Sequence, residues 1–450
     1  MIIVEKIFKL KENNTKVSTE IIAGVTTFFA MAYIIFVNPN ILSLTGMDKT
    51  AVLIVTCLAS ALGTFLTAFL ANVPFAQAPG MGLNAYFTYT IVLGMGYTWQ
   101  QGLTIVLISG ILFLLVTLSP LRKKVIASIP APLKSAIGAG IGLFIAFIGL
   151  LNVGLIQLGT VPGLGLVVTN ADTHVTSLNM SGILAIIGLL ITGALLAWNV
   201  KGAIFIGIIA TTIIGIPLGV TVFPEHALET NFSIAPTFLQ FDFQGLMTLG
   251  LLPLITAIIT FAIVDMFDTV GTLIGTAQGA GMLDKDGNLP GGDRALIADA
   301  IATCTGACLG TSTVTTFVES STGISEGGRT GLTSVVTGIL FLVAVLLAPL
   351  AGIIPSGATA PALIIVGVLM MRGARNIDWG DFEVALPCFL TMAMMAFAYS
   401  ISDGIGFGFI SYVFIKLVRG KAKEVPVLMY ILAVLFLVKY VLTIVSSTAA

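Results

Sequence analysis

Runs of apolar residues long enough to cross a bilayer recur from one end of this chain to the other, and they constrain its fold more than any other feature. They lie near 20–38, 51–71, 101–118, 133–151, 180–197, 202–222, 249–275, 331–353, 360–371, 383–400, 404–418 and 426–446. Several reach the ~20 residues a helix needs to cross a hydrocarbon core of about 30 Å. In lipid, backbone N–H and C=O groups must be satisfied inside the protein, which for runs of this length selects helices. The fold class expected is an all-α polytopic membrane protein. Of the 450 residues, 57% are hydrophobic and 9% charged, against about 25% charged in soluble domains. The net charge of −1 gives no reason to expect nucleic acid as a partner. The opening MIIVEKIFKLKENN lacks an apolar core followed by a small-residue cleavage site, so no removable signal peptide is expected. Cys57, Cys304, Cys308 and Cys388 lie in apolar or small-residue stretches and read as packing residues.

Two stretches, 78–98 and 309–326, are flanked by good spans yet filled with Gly, Pro, Ser, Thr and Asn. If both cross, and 295–309 is a short span of small residues, there are fourteen crossings up to residue 418. Lys and Arg favour cytoplasmic loops. A cytoplasmic N-terminus and fourteen crossings put every Lys and Arg inside except Lys49, which falls outside, and Lys439, which lies in the terminal run. The outside loops 152–179 and 224–245 then carry Asp172, Glu225, Glu229 and Asp242 without one basic residue. The run at 426–446 is either a fifteenth crossing or a segment packed along the bundle.

Interrupted segments at matching places in two halves mark an inverted-repeat transporter, with its site where they meet near the midplane. In QAPGMGLNAYF, Pro79, Gly80 and Gly82 read as extended backbone leading into a helix capped by Asn84. In TSTVTTFVESSTG a β-branched run through Val318 precedes a helix start at Glu319 and Ser320. The eighth crossing holds two carboxylates, Asp265 and Asp268, three residues apart on one face. Asp265 lies roughly 21 Å along the helix from Leu251, too deep for its short side chain to reach water. An ionisable group at such depth is a functional candidate. Asp265, Asp268 and Glu319, with no fixed cation nearby in sequence, suit a ligand rich in N–H donors or a cation. GISEGGRTG at 323–331 lacks the Lys-Ser/Thr ending of a phosphate loop and reads as the cytoplasmic end of segment ten with Arg329 in a loop, and DKDGN at 284–288 lacks the later ligands of a calcium loop and reads as a polar turn.

The motifs TTFFAMAYIIFVNPNIL at 26–42, APGMGLNAYF at 78–87, VDMFDTVGTLIG at 264–275 and GTSTVTTFVESSTGISEGGRTGLT at 310–333 together resemble the AzgA-like purine permeases of the nucleobase/cation symporter families. The likeness runs through essentially the whole chain. It implies a uracil-permease-like 7+7 inverted repeat of fourteen transmembrane segments, with segments 3 and 10 part extended and part helical. It divides the chain into a core domain (1–132 and 246–354) and a gate domain (133–245 and 355–450). It also implies secondary active import of a purine, guanine or hypoxanthine first and adenine second, by proton symport across a bacterial inner membrane. Neither a cofactor nor a metal is implied, and a homodimer through the gate domain is.

Carried over by motif, Asp268 resembles the family's carboxylate that grips the base, and Asp265 a second acidic position. Glu319, Val318 and Phe317 resemble the segment-ten carboxylate, backbone amide and aromatic, with Ser320 beside them, and Gly82 and Asn84 match the segment-three element. Related uracil-type carriers have His where this chain has Thr272, which moves proton handling onto Asp265, Asp268 and Glu319. Sodium is the competing coupling ion, since carboxylates and exposed carbonyls also suit it. An anion carrier of the sulfate-permease type on the same fold is opposed by the midplane acids. A channel lacks a continuous polar pore here, and an intramembrane enzyme lacks a nucleophile with a base, since His174 and His226 fall in outside loops.

Overall fold

The structure is a computed structural model that describes residues 2–120, 128–157, 163–164, 167–169, 176–223, 232–248, 250–284 and 289–449. Arg122, Lys123, Lys124, His174, His226 and most of 284–288 lie outside the described residues. The chain folds as a helical membrane protein in which nine helical stretches among the described residues are long and apolar enough to cross a bilayer.

In chain order the helices are α1 (Ile2–Phe8), α2 (Val17–Met31), α3 (Ile34–Leu42), α4 (Lys49–Leu66), α5 (Met81–Ala85), α6 (Trp99–Leu118), α7 (Ala131–Asn152), α8 (Met180–Ala197) and α9 (Ala203–Gly215). They continue as α10 (Leu251–Gly279), α11 (Gly292–Leu309), α12 (Ser320–Ser325), α13 (Gly331–Ala344), α14 (Ser356–Met370), α15 (Phe382–Phe397), α16 (Ile401–Val418) and α17 (Val427–Ala449). The strands are β1 (Gln77–Pro79), β2 (Ile156–Gln157), β3 (Gly163–Leu164), β4 (Val167–Thr169), β5 (Thr176–Leu178) and β6 (Val314–Thr316). β2 pairs with β3 and β4 with β5 in the 153–179 connection.

The pairing that organises the molecule joins residues more than two hundred positions apart. β1 and β6 run antiparallel with Gln77 opposite Thr316, Ala78 opposite Thr315 and Pro79 opposite Val314, and all six residues are buried. Gly80 N donates to Thr313 O and Phe317 N to Ala76 O, both at 3.0 Å, extending the ladder at each end. Pro79, which lacks a donor, and the β-branched run Val314, Thr315 and Thr316 disfavour helix in both segments. Each therefore supplies the other's backbone partners at membrane depth, which lipid cannot do. A short helix follows each strand. Helix α5 starts from Gly80 rather than from Asn84, so the expected Asn84 cap is corrected: Asn84 lies within the helix and Gly80 is its N-cap.

Around this pair, α2, α4, α6, α11 and α13 pack on one another, while α7, α8, α9, α14, α15 and α16 form a second set of neighbours. Small residues set the spacing in the second set. A Cβ on Gly142 would come within 2.6 Å of Gly367 O, and one on Gly367 within 2.4 Å of Gly142 O, so α7 and α14 touch backbone to backbone. In the first set the fully buried Glu20 of α2 crosses to the start of α13. It accepts from Thr333 Oγ1 (2.6 Å), Thr330 Oγ1 (2.9 Å), Thr333 N (3.1 Å) and Arg329 N (2.9 Å), filling the orphan donors of a helix N-terminus with a carboxylate. In the loop before α10, Asp242 accepts from Gly245 N (2.8 Å) and Gln101 Nε2 (2.9 Å), and these bonds hold its carboxyl below the usual range.

The terminal run is helical and belongs to the bundle. α17 packs on α16 and α10. Lys439 Nζ pairs with Asp403 Oδ1 at 2.7 Å, and Tyr440 OH donates to Asp403 O at 3.2 Å.

Candidate functional site

A cavity of about 780 Å³ opens between α7 and the helices α10 and α12, and reaches Val318, two residues past β6. Asp268 and Phe267 of α10 and Val318 after β6 line it, with Ile137, Gly138 and Ile141 of α7 opposite. Lys134, Arg329, Arg372 and Arg375 stand among its lining residues, and Lys134 Nζ lies 5.1 Å from the centroid of the Phe267 ring. A larger adjoining cavity shares Lys134 and Arg329 and adds Lys9, Lys16 and Arg294. Basic residues from the N-terminus, from the starts of α7 and α11 and from the connections after α12 and α14 thus meet on one face. Lys201 joins them through its ion pair with Glu326 at 2.6 Å. Lys49 lines a separate cavity of about 410 Å³ with Asn40, Asn152 and Pro355, which does not include Asp268 or Glu319.

The other face is closed by contacts of α3 and the helical segment Tyr86–Gly94 with the second helix set. Tyr89 and Asn152 are hydrogen-bonded through the Tyr89 hydroxyl at 2.9 Å, and Asn40 Nδ2 donates to Thr359 Oγ1 at 3.1 Å. The Tyr89 ring meets Tyr399 edge-on at 5.5 Å, and Tyr399 meets Phe144 in the same way at 5.5 Å. A Cβ on Gly82 would sit 2.4 Å from Ile141 Cγ2, so this glycine lets α5 close on α7 at the end of the cavity.

Of the residues expected at the site, Asp268 and Val318 line the cavity; Val318 is 50% exposed. Glu319, half-buried beside Val318, accepts a hydrogen bond from Tyr33 OH at 2.7 Å. Tyr33 stands at the break between α2 and α3 and was not foreseen, although it lies inside the motif at 26–42. Asn84 is fully buried and engaged at both ends: Nδ2 donates to Pro79 O at 3.3 Å, and Oδ1 accepts from the Ser312 hydroxyl. Ser320 Oγ accepts from Ala76 N at 3.0 Å and ties α12 to β1. Phe317 is buried in the hydrophobic core and is absent from the cavity wall, where the aromatic is Phe267.

Asp265 turns away from the cavity. It is 1% exposed, and its Oδ2 accepts from Thr303 Oγ1 of α11 at 2.9 Å. One turn earlier on α11 lies Asp299, fully buried, whose Oδ1 accepts from Thr316 Oγ1 (3.0 Å) and Gln77 Nε2 (3.1 Å). Sequence reading missed Asp299, yet ALIADAIATC carries the same kind of signal as the eighth crossing, a carboxylate within a span. No group of three or more His, Cys, Asp or Glu that could hold a metal occurs among the described residues.

Two half-extended, antiparallel segments thus meet near buried carboxylates and a cavity lined by apolar, acidic and basic side chains. The profile of the permease family matches residues 18–407. The chain belongs to the permease family. It is 44% identical to the guanine/hypoxanthine permease PbuG of Bacillus subtilis, covering 96% of this chain and 98% of that one. It is 42% identical to the adenine permease AdeP of Escherichia coli, covering 97% and 96%. Among solved structures, the transmembrane domain of a cyanobacterial bicarbonate transporter, BicA, superposes with a TM-score of 0.62 at 16% identity, covering 86% of this chain and 97% of that one. That likeness shows the fold, which an anion carrier shares. This permease is accordingly a multi-pass membrane transporter of the purine permease group and not an enzyme.

Proposed function

We propose that this permease imports a purine nucleobase together with a proton, holding the base between Asp268 and Glu319. The observation that carries the reading is the placement of one carboxylate in the cavity wall and a second, oriented by Tyr33, beside Val318 at the strand pair. A purine offers ring N–H donors to such carboxylates and a flat face to Phe267. The relatives named for guanine, hypoxanthine and adenine support the purine class. Guanine and hypoxanthine are preferred because their O6 accepts from a backbone N–H such as that of Val318 while N–H donors meet the acids. Asp265 holds a proton: its Oδ1 has no partner, and a buried, ionised carboxylate so placed costs several kcal/mol.

The face bearing Lys9, Lys134, Arg329 and Arg375 is the cytoplasmic one in this reading, in a bacterial inner membrane with the N-terminus inside. The open cavity then faces inward, and Tyr89, Asn152, Asn40 and Thr359 close the outer side. The core domain (1–132 and 246–354) moves against the gate domain (133–245 and 355–450), which pairs with a second copy. Competition of unlabelled guanine, hypoxanthine, xanthine, adenine and uracil against labelled hypoxanthine tests the assignment. Guanine and hypoxanthine compete best, and failure of every purine to compete refutes it.

A further inference from the structure

We propose that Asp299 is the residue whose charge couples proton to purine, and that Gln77 and Thr316 transmit that charge to the two crossing strands. The inference rests on the proton-symport reading and adds to it a residue outside the base-binding cavity.

Asp299 is fully buried, and its Oδ1 receives one hydrogen bond from each strand, Gln77 Nε2 from β1 and Thr316 Oγ1 from β6. Gln77 and Thr316 are themselves opposite one another in the ladder. Two acceptors here are unpartnered: Oδ2 of Asp299 and Oε1 of Gln77, both on fully buried side chains that already touch. One proton relieves both. Placed on Oδ1, the oxygen that faces the amide, it makes an O–H that donates to Gln77 Oε1 once the carboxamide turns about its last bond and brings Oε1 to the place of Nε2, and it removes the charge that makes an unpartnered Oδ2 costly. An amide serves either way round, as donor through N or acceptor through O.

The two protonation states therefore hold the strands differently. Ionised, Asp299 grips both strands by charge-assisted bonds, which are roughly twice as strong as neutral ones. Neutral, it keeps a neutral bond to Gln77 with donor and acceptor exchanged. Val318 and Glu319 follow Thr316 by two and three residues, so the change arises beside the base site. The acidic groups acting on Asp299 are Asp265, bonded to Thr303 on the same helix, and Asp268 beyond it. Of the other elements packed on α11, α6, β6 and the 67–71 segment contain no acidic or basic residue, and α4 contains only Lys49 at its start. Asp268, Asp265 and Asp299 thus step from the cavity to the ladder. The proton enters with the purine and returns along these carboxylates to the cavity.

The test uses the full chain in sodium-free proteoliposomes, with labelled hypoxanthine and an internal pH dye. In the wild type, added hypoxanthine acidifies the lumen. No acidification in the wild type overturns the symport reading, and this inference with it. Asp299→Asn is expected to lose hypoxanthine-driven acidification while still exchanging labelled for unlabelled hypoxanthine; wild-type acidification per hypoxanthine in this variant overturns the proposal. Thr316→Val leaves the carboxyl in place and removes a bond that favours its ionised form. Its acidification persists, and the midpoint of the pH dependence of hypoxanthine uptake moves to higher pH. An unmoved midpoint, with only a lowered Tm, makes Thr316 and Asp299 a structural clamp and overturns the proposal even if Asp299→Asn does not fold.

Discussion

Glu319, Asp268 and Tyr33 form the contacts on which purine binding turns in this account. Replacing a carboxylate by its amide exchanges one acceptor oxygen for an NH2 donor and turns a charge-assisted bond to the base into a neutral one, a loss of about 1–3 kcal/mol. Glu319→Gln and Asp268→Asn are expected to weaken hypoxanthine binding by at least about fivefold, measured by isothermal titration on the purified protein. Wild-type affinity in both removes them from the site. Tyr33→Phe loses only the bond that orients Glu319 and has a smaller effect in the same assay. The two phenylalanines separate function from packing. Phe267→Ala and Phe317→Ala both remove a buried ring of the core, at about 3–5 kcal/mol of stability, but only Phe267→Ala, in the cavity wall, also weakens binding by the protein that stays folded. Sequence reading found the acids because a carboxylate in an apolar run announces itself. It did not separate Phe317 from Phe267, since which neighbouring ring faces a cavity depends on packing across elements. Asn84 and Ser320 lay within the right motifs, but their partners, Ser312 and Ala76, come from the other half of the chain.

The β1–β6 ladder is the element that distinguishes this bundle from an ordinary set of spans. Pro79 with Gly80, and the β-branched run 313–316, made the breaks in segments 3 and 10 legible in the sequence. The register of Gln77 on Thr316 was not, because three-residue strands carry no side-chain pattern that fixes it. Asp299 carried the signal of a carboxylate in a span, but its partners Gln77 and Thr316 appear only once both strands are seen to reach it. If both interrupted segments cross, single cysteines at Thr98 and Ser325, with Cys57, Cys304, Cys308 and Cys388 replaced, label from opposite sides of the membrane with an impermeant maleimide. Labelling of both from one face contradicts the crossing count. The ladder also sets a stability expectation. Ser320→Ala leaves Ala76 N unsatisfied in the core, at a cost of about 1–3 kcal/mol, seen as a lower Tm in detergent.

At the scale of the whole molecule, the two helix sets touch on the face of Lys49 and part on the face of Arg329 and Arg375. The contacts that close the first face are few and polar or aromatic, as suits a seam that opens and closes. Asn152→Ala, which removes the bond to Tyr89, is expected to favour the outward-open arrangement and to raise labelling of a cysteine at Val37, which lines the outer cavity. The arrangement of basic loops was legible as a count along the sequence, and the structure gathers most of those described around adjoining cavities. The state of the carrier was not legible, because two arrangements of one sequence share every local propensity. Movement of a base through such a seam with a proton on the carboxylates is the central claim. It is tested most directly by adding hypoxanthine to sodium-free proteoliposomes containing the protein while recording luminal pH. The account predicts acidification that follows hypoxanthine uptake and is lost in Glu319→Gln; uptake that requires sodium and moves no protons would contradict it.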